Sequence, residues 1–293
     1  MIFGLSFGSP YFTLPKFKYV RPKSIEEALE YLKDNGEDAR VMAGGVGLLN
    51  FMKERLVEPK LVIDLKGIPE LHKIEYNGRL IIGATTTLNE ILSFPKLRDE
   101  YNALYEAISV LSDHNLRNRS TLAGDLCEAL PWVDSPPPLI AYDAMVNIIG
   151  SKGSRSVKVK DFIKGMAQVD LAPDEIVTSI ELPEAAEKRG RFYKFAKGSE
   201  FSIASLAIVF DASINELRLV FGGVSDIPYY PEELSEMFSK AYSAGDYISN
   251  AISYIRKNFT PLDDSLASSE YRLNIMETLL VKGVREVIQG EKR

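Results

Sequence analysis

Apolar positions first recur at helical spacing between residues 25 and 32. Ile25, Ala28, Leu29 and Leu32 fall on one face. Ser24 with Glu27 offers a capping box before that face, and Asn35-Gly36 a stop after it. Residues 39–42 predict a short strand, 48–56 a helix, and the run LVIDL at 61–65 a buried strand. The first 65 residues therefore read as a small strand–helix–strand–helix–strand unit of α/β type. Next comes HKIEYNGRLIIGA, whose Asn77-Gly78 predicts a hairpin with a tight primed turn. Thr87 and Glu90 form a second capping box at the start of a short helix. A longer helix is predicted over 99–112, with Leu104, Ala107, Ile108 and Leu111 on one face. A polar loop over 112–120, the stretch TLAGDLC and the prolines Pro136 to Pro138 follow. Strands at 145–149, 156–160 and 175–182 complete an α+β domain. After Pro183 the pattern changes. Strands near 191–197, 203–211 and 216–221 suit an antiparallel meander, and helices run over 231–242, 245–258 and 268–290. A boundary is expected near 183 and a softer one near 57, giving units 1–57, 58–183 and 184–293.

Composition narrows the class. The 293 residues are 45% hydrophobic and 26% charged, ordinary for a globular protein. With 35 basic and 41 acidic residues the net charge is −6, so no overall basic field invites nucleic acid. The opening MIFGLSFGSPYFTLPKF carries two prolines and no basic n-region, which argues against a signal peptide. No apolar run reaches the roughly 18 residues of a membrane span, and the cytoplasm is the expected location. A single cysteine, Cys127, excludes an internal disulfide and an iron–sulfur cluster held by this chain's own thiolates. With only His72 and His114 besides, no self-contained metal site is expected. Hard redox chemistry must come from an organic cofactor or another subunit.

Two glycine-bearing segments carry the candidate chemistry. Val41-Met42 runs into Ala43-Gly44-Gly45-Val46-Gly47, three glycines in four positions, directly before a helical pattern. Thr121-Leu122-Ala123-Gly124-Asp125 reads as a second strand-to-loop turn. Neither is a dinucleotide fingerprint, since Asn50 stands where G-x-G-x-x-G needs glycine, and neither ends in the Gly-Lys-Ser/Thr of a P-loop. Bare amides in such turns, with a helix starting near Gly47, can nest a diphosphate; each turn is equally readable as an ordinary tight turn. Arg117 and Arg119, just ahead of the second turn, suit a phosphate oxygen or a sugar hydroxyl. Alternatively they are solvated, or pair with Asp113 and Asp125. No His/Ser/Asp constellation suggests acid–base catalysis.

These residues are similar to a known family. AGGVGLLNFMKERLVEPKLVIDLKGIPEL, IGATTTLNEI, LRNRSTLAGDL and YDAMVNI resemble the FAD-binding subunit of the molybdenum hydroxylases, the group of carbon monoxide dehydrogenase, xanthine dehydrogenase and three-subunit aldehyde oxidoreductases. LVFGGVSDIPYYP and ASSEYRLNIMETLLVKGVREV resemble that family's C-terminal domain, so the likeness spans nearly the whole chain. It implies a two-subdomain FAD-binding fold of the PCMH type, then an antiparallel sheet with helices. By position, the FAD diphosphate falls to Ala43, Gly44, Gly45, Val46 and Gly47 and to Thr121, Ala123, Gly124 and Asp125, with Leu111 and Arg117 counted beside them. Asp134 matches an acid on the ribityl or nearby hydroxyls, Val177 an apolar residue near the flavin ring, Lys194 a lysine near the ring, and Ile203 lies in the segment facing it. On the residues alone, Asp134 could cap a helix, Val177 could be core and Lys194 a surface charge. The second turn departs from the family's Gly-Thr-Ile-Gly-Gly-Asn: Ala123 is tolerable if its φ is negative, whereas Asp125 puts a carboxylate near a diphosphate and needs either a partner such as Arg117 or Arg119 or a ribityl hydroxyl to accept from.

The implied function is the electron-transfer flavoprotein of a heterotrimer. A large subunit would hold molybdopterin and oxidise the substrate, an aldehyde by expectation, and a small subunit would hold two [2Fe–2S] clusters. A stand-alone flavoprotein oxidase or reductase is the alternative; it needs an acid or base at the flavin face, and the sequence offers none. A flavin-free scaffold joining two partners is the third reading.

Overall fold

The computed structural model describes residues 13–197, 201–241 and 243–289, with only the backbone of Gln289; the last residues of the helices expected to reach 242 and 290 lie outside these. The first unit comprises β1 (Lys18–Val20), α1 (Ile25–Asn35), β2 (Ala39–Met42), α2 (Val46–Lys53) and β3 (Leu61–Asp64), with the strands parallel in the order β1-β3-β2. β3 is buried along its whole length, as a central parallel strand must be. A division at 57 would cut this strand from the sheet it centres, so the first unit runs past it. Ser24 caps α1 by accepting from the Glu27 amide, but Glu27 returns to the Lys23 amide instead of closing the expected box on Ser24. α2 starts at Val46 and ends at Lys53, earlier at both ends than its apolar spacing suggested.

The second unit holds β4 (Ile74–Tyr76), β5 (Leu80–Gly83), α3 (Leu88–Leu92), α4 (Pro95–Glu100), α5 (Asn102–Val110), α6 (His114–Arg117), α7 (Leu122–Glu128), α8 (Pro136–Ala141), β6 (Met145–Gly150), β7 (Gly153–Lys158), α9 (Val159–Phe162), β8 (Ile163–Gly165), β9 (Gln168–Val169) and β10 (Glu175–Leu182). Its main sheet is antiparallel in the order β4-β5-β10-β6-β7. The first hairpin pairs Tyr76 with Leu80, leaving three residues in its loop, and of Asn77-Gly78 only Gly78 has a positive φ; the turn is not the primed two-residue type. The helix expected over 99–112 is two helices. Tyr101 leaves helical geometry between them, fully buried, with its hydroxyl donating to the Pro183 carbonyl. The capping box of Thr87 and Glu90 closes on α3.

The third unit is the meander β11 (Lys188–Ala196), β12 (Ser202–Asp211) and β13 (Glu216–Gly222), followed by α10 (Glu233–Ser239), α11 (Ala244–Asn258) and α12 (Ser269–Gln289). β12 is apolar on both faces for a structural reason. Its alternation sends Ala207 and Val209 into the core of the second unit, and Leu206 and Ile208 into a separate core with Met276, Leu280 and Val284 of α12. The sheet is thus the wall between two cores, and the open ends of its strands border the space between all three units.

Candidate functional site

The glycine-rich loop is bare for three different reasons. A Cβ on Gly44 would lie 1.9 Å from the Arg119 carbonyl oxygen, so that glycine exists to let the second motif's backbone approach. Gly45 has φ of 84°, the left-handed conformation that L side chains avoid, and caps α2 without any side-chain hydrogen bond. Gly47, in the first turn of α2, faces the Glu128 carboxylate. The loop is also held from behind. Lys66 Nζ donates to the Ala43 carbonyl at 2.6 Å and contacts Asp64 Oδ1 at 2.7 Å, while the Tyr19 hydroxyl donates to the other Asp64 oxygen. Burial alone would raise the Asp64 carboxyl, but Lys66 and Tyr19 outweigh it and hold it below its usual range. With its loop clamped and no side-chain cap on its first turn, α2 directs its first amides and the positive end of its dipole into the cleft, beside the Glu128 carboxylate.

The second motif is a helix start, not a glycine turn. Thr121 caps α7 by accepting from the Gly124 amide at 3.1 Å, and Leu122, Ala123 and Leu126 turn into the core. Ala123 has no positive φ, so the methyl group fits. Stacked beside α2, this helix forms one wall of a cleft of about 1290 Å³ between the three units.

That cleft gathers twelve of the fifteen expected cofactor residues. Ala43, Gly44, Gly45, Val46, Gly47, Leu111, Thr121, Gly124, Asp125, Asp134, Lys194 and Ile203 line it. Three do not. Arg117 is spent on structure: its guanidinium donates to Asn89 Oδ1 and to the carbonyls of Ser109, Leu111 and Ser112, closing the end of α5. The Ala123 methyl is core, and Val177 is a buried β10 residue opposite Ile148 in the second unit's core. Arg119 meets the site through its main chain on Gly44, its side chain being exposed.

The far wall is polar in one place. Lys194 of β11 pairs with Asp134 at 2.7 Å, and the Ser202 hydroxyl donates to the other Asp134 oxygen at 2.5 Å. Asp134 therefore caps no helix. Burial pushes its carboxyl above the ordinary value although Lys194 and Ser202 pull the other way. Asp125 has neither of its expected arginine partners; among the described residues its side chain accepts only from Ser135 Oγ, at 3.3 Å. Burial first, then the nearby Glu128 carboxylate, push it well above the usual range, and burial raises Glu128 as well. Cys127, pushed by burial up to about 12, stays a thiol. The sequence reading missed Glu128, Lys66, and the pair Trp132 and Phe201, whose rings meet at 5.1 Å on the cleft wall. Only Glu128 left a trace, three residues after Asp125 on a helix with an N-cap threonine.

A diphosphate-bearing dinucleotide fits this chemistry: an uncapped helix start on a clamped loop, hydroxyl and carboxylate acceptors beyond it, and aromatic and apolar walls. Among known families, the FAD binding domain in molybdopterin dehydrogenase matches residues 15–185, and the CO dehydrogenase flavoprotein C-terminal domain matches residues 191–287. The chain is 31% identical to the glyceraldehyde dehydrogenase medium chain of Sulfolobus acidocaldarius over 93% of this chain and 99% of that one. It is 35% identical to the carbon monoxide dehydrogenase medium chain of Hydrogenophaga pseudoflava over 72% of this chain and 76% of that one. The fold superposes on the solved carbon monoxide dehydrogenase from H. pseudoflava with a TM-score of 0.88 and 28% identity, covering 94% of this chain and 98% of that one.

Proposed function

The chain belongs to the family of FAD-binding medium subunits of the molybdenum hydroxylases, and from that premise we propose that it collects electrons within a heterotrimer whose large subunit oxidises an aldehyde. The aldehyde is favoured by the likeness to a glyceraldehyde dehydrogenase medium chain along nearly its whole length. Molybdopterin belongs to the large subunit and the [2Fe–2S] clusters to a small one, and electrons run from them to this chain and on to an external acceptor. No helix among the described residues is long and apolar enough to cross a membrane, and a cytoplasmic location is part of the same proposal.

The observation that carries this reading is the uncapped first turn of α2 opening into a cleft shared by three units. Val46 and Gly47, with Gly44 and Gly45 behind them, would hold the FAD diphosphate, with Thr121 and Gly124 on the adjoining start of α7. Asp134 would accept from hydroxyls of the ribityl chain, while Lys194 and Ile203 would border the flavin ring. Bound there, FAD supplies a carrier that accepts electrons singly and delivers them in pairs. The chain's own part is positional. The Lys66 clamp fixes the loop, and Arg272 of α12 fixes the start of β12. Arg272 is buried and donates to the Gly223 carbonyl at 2.6 Å and to the Ile203 carbonyl, while its other nitrogen pairs with Asp264.

Reconstitution tests the reading. The purified chain mixed with FAD is expected to retain about one flavin per chain through gel filtration and to quench its only tryptophan, Trp132. With both partner subunits, an aldehyde should bleach the flavin absorption. A chain that stays colourless both alone and in the assembled complex would overturn the proposal.

A further inference from the structure

Asp125 and Glu128 stand three residues apart on α7, so their carboxylates leave the same helical face. That face looks at the start of α2: a Cβ on Gly47 would lie 2.8 Å from Glu128 Oε2. The carboxylate thus lies beside the first turn of α2, near the end whose dipole attracts an anion. Glu128 forms no hydrogen bond or ion pair among the described residues, and Asp125 has only the long bond from Ser135.

Among the described residues, no neighbouring element brings these acids a cation. α7 carries no other charge. On α2 the only basic residue is Lys53, six residues beyond Gly47 and about 9 Å along the axis; Glu54 follows it. The segment after α7 contributes Asp134, another acid, whose Lys194 is already engaged. Arg40 of β2 donates to the carbonyls of Glu37 and Ala39, and Lys197 is exposed. From β10, Glu175 is paired with Arg155.

Building on the FAD reading above, we propose that Asp125 and Glu128 are a resident anion pair in the diphosphate seat, and that FAD is admitted only as the pair takes up a proton from solvent. A diphosphate brings negative charge against two carboxylates that share one face of α7, and like charges at close range disfavour ionisation. Protonation relieves this, since a carboxyl O–H can donate to a phosphate oxygen. Both acids are already held above their ordinary ranges by burial, so the pair is disposed to take the proton. The sign follows: the complex binds more protons than the free protein, so FAD affinity falls as pH rises, by up to about tenfold per pH unit for each proton taken up.

The test is an FAD titration of the full-length chain, read by Trp132 quenching from about pH 5.5 to about pH 8.5, above the ordinary carboxylate range. The wild type should weaken steadily with pH. The near-isosteric double variant Asp125→Asn/Glu128→Gln should bind at least about tenfold tighter at the alkaline end, with a flat profile. Calorimetry in buffers of different ionisation enthalpy should give an uptake of about one proton in the wild type and near zero in the double variant. Each single variant, with thermal melting of the apo form as a folding check, should fall between. A flat wild-type profile, or a double variant that keeps the slope, overturns the proton coupling while leaving the cofactor reading intact. Failure of every protein to bind FAD at any pH overturns both.

Discussion

Two carboxylates nine residues apart in the chain line the same cleft and are both buried, yet only one is answered by a cation. Asp134 meets Lys194 and Ser202, which arrive on strands of the third unit, 60 and 68 residues away in sequence. Asp125 meets one distant serine and a second acid on its own helix. Burial is similar for the two, so the difference lies in which unit each faces. Asp134 looks across to the meander, where a long cationic side chain reaches in. Asp125 meets Ser135, and its neighbour Glu128 on the same helix faces Gly47, which has no side chain to offer. A carboxylate in the first position is a fixed structural acceptor, and in the second it is held ready to change its charge.

Breaking the paired side should have the largest effect. Lys194→Met strands Asp134 as a buried carboxylate, and removing one partner of a buried pair costs about 3 to 5 kcal/mol. Its sign with pH is fixed. Without the cation the folded-state value of Asp134 rises further, so the variant should be least impaired at acid pH and lose stability as pH rises, measured by urea unfolding across pH. The second effect sharpens the contrast through the two serines. Ser202→Ala removes a charged hydrogen bond of 2.5 Å and should cost about 1.5 to 3 kcal/mol, whereas Ser135→Ala removes one of 3.3 Å and should cost less than about 1 kcal/mol. Equal losses would mean that the two acids are held alike. The smallest effect is a gain. The raised carboxyl of Asp125 gives stability that is lost as pH rises through its folded-state value. Asp125→Asn should therefore stabilise the apo chain by about 1 kcal/mol or less above neutrality and leave its stability less dependent on pH.

Local chemistry explains which elements could be read in advance. The strands at 39–42 and 175–182 end where expected because turn and glycine or proline residues flank them: Gly36 and Gly44 around the first, Pro173 and Pro183 around the second. The capping box at Thr87 was equally local. The helix pair around Tyr101 was not, because the break comes from a hydroxyl reaching Pro183, a contact 82 residues away. Nor was the true nature of TLAGDLC, where glycine suggested a turn but Thr121 and the buried Leu122 and Leu126 favour a helix.

The site divides the same way. From the sequence alone came the residues with local signatures: the glycine run, the Thr121 motif, the family likeness that picked out Asp134 and Lys194, and the inference that one cysteine leaves metal clusters to other chains. Tertiary structure decided which groups are free to act. It consumed Arg117 on carbonyls, put Val177 in the core, placed Arg119's carbonyl on Gly44 and set Glu128 against the start of α2. The physical reason is that identity and spacing fix what a side chain can bond to, whereas a buried charge is decided by what the opposite wall presents, and that wall is built from units the local pattern cannot bring together.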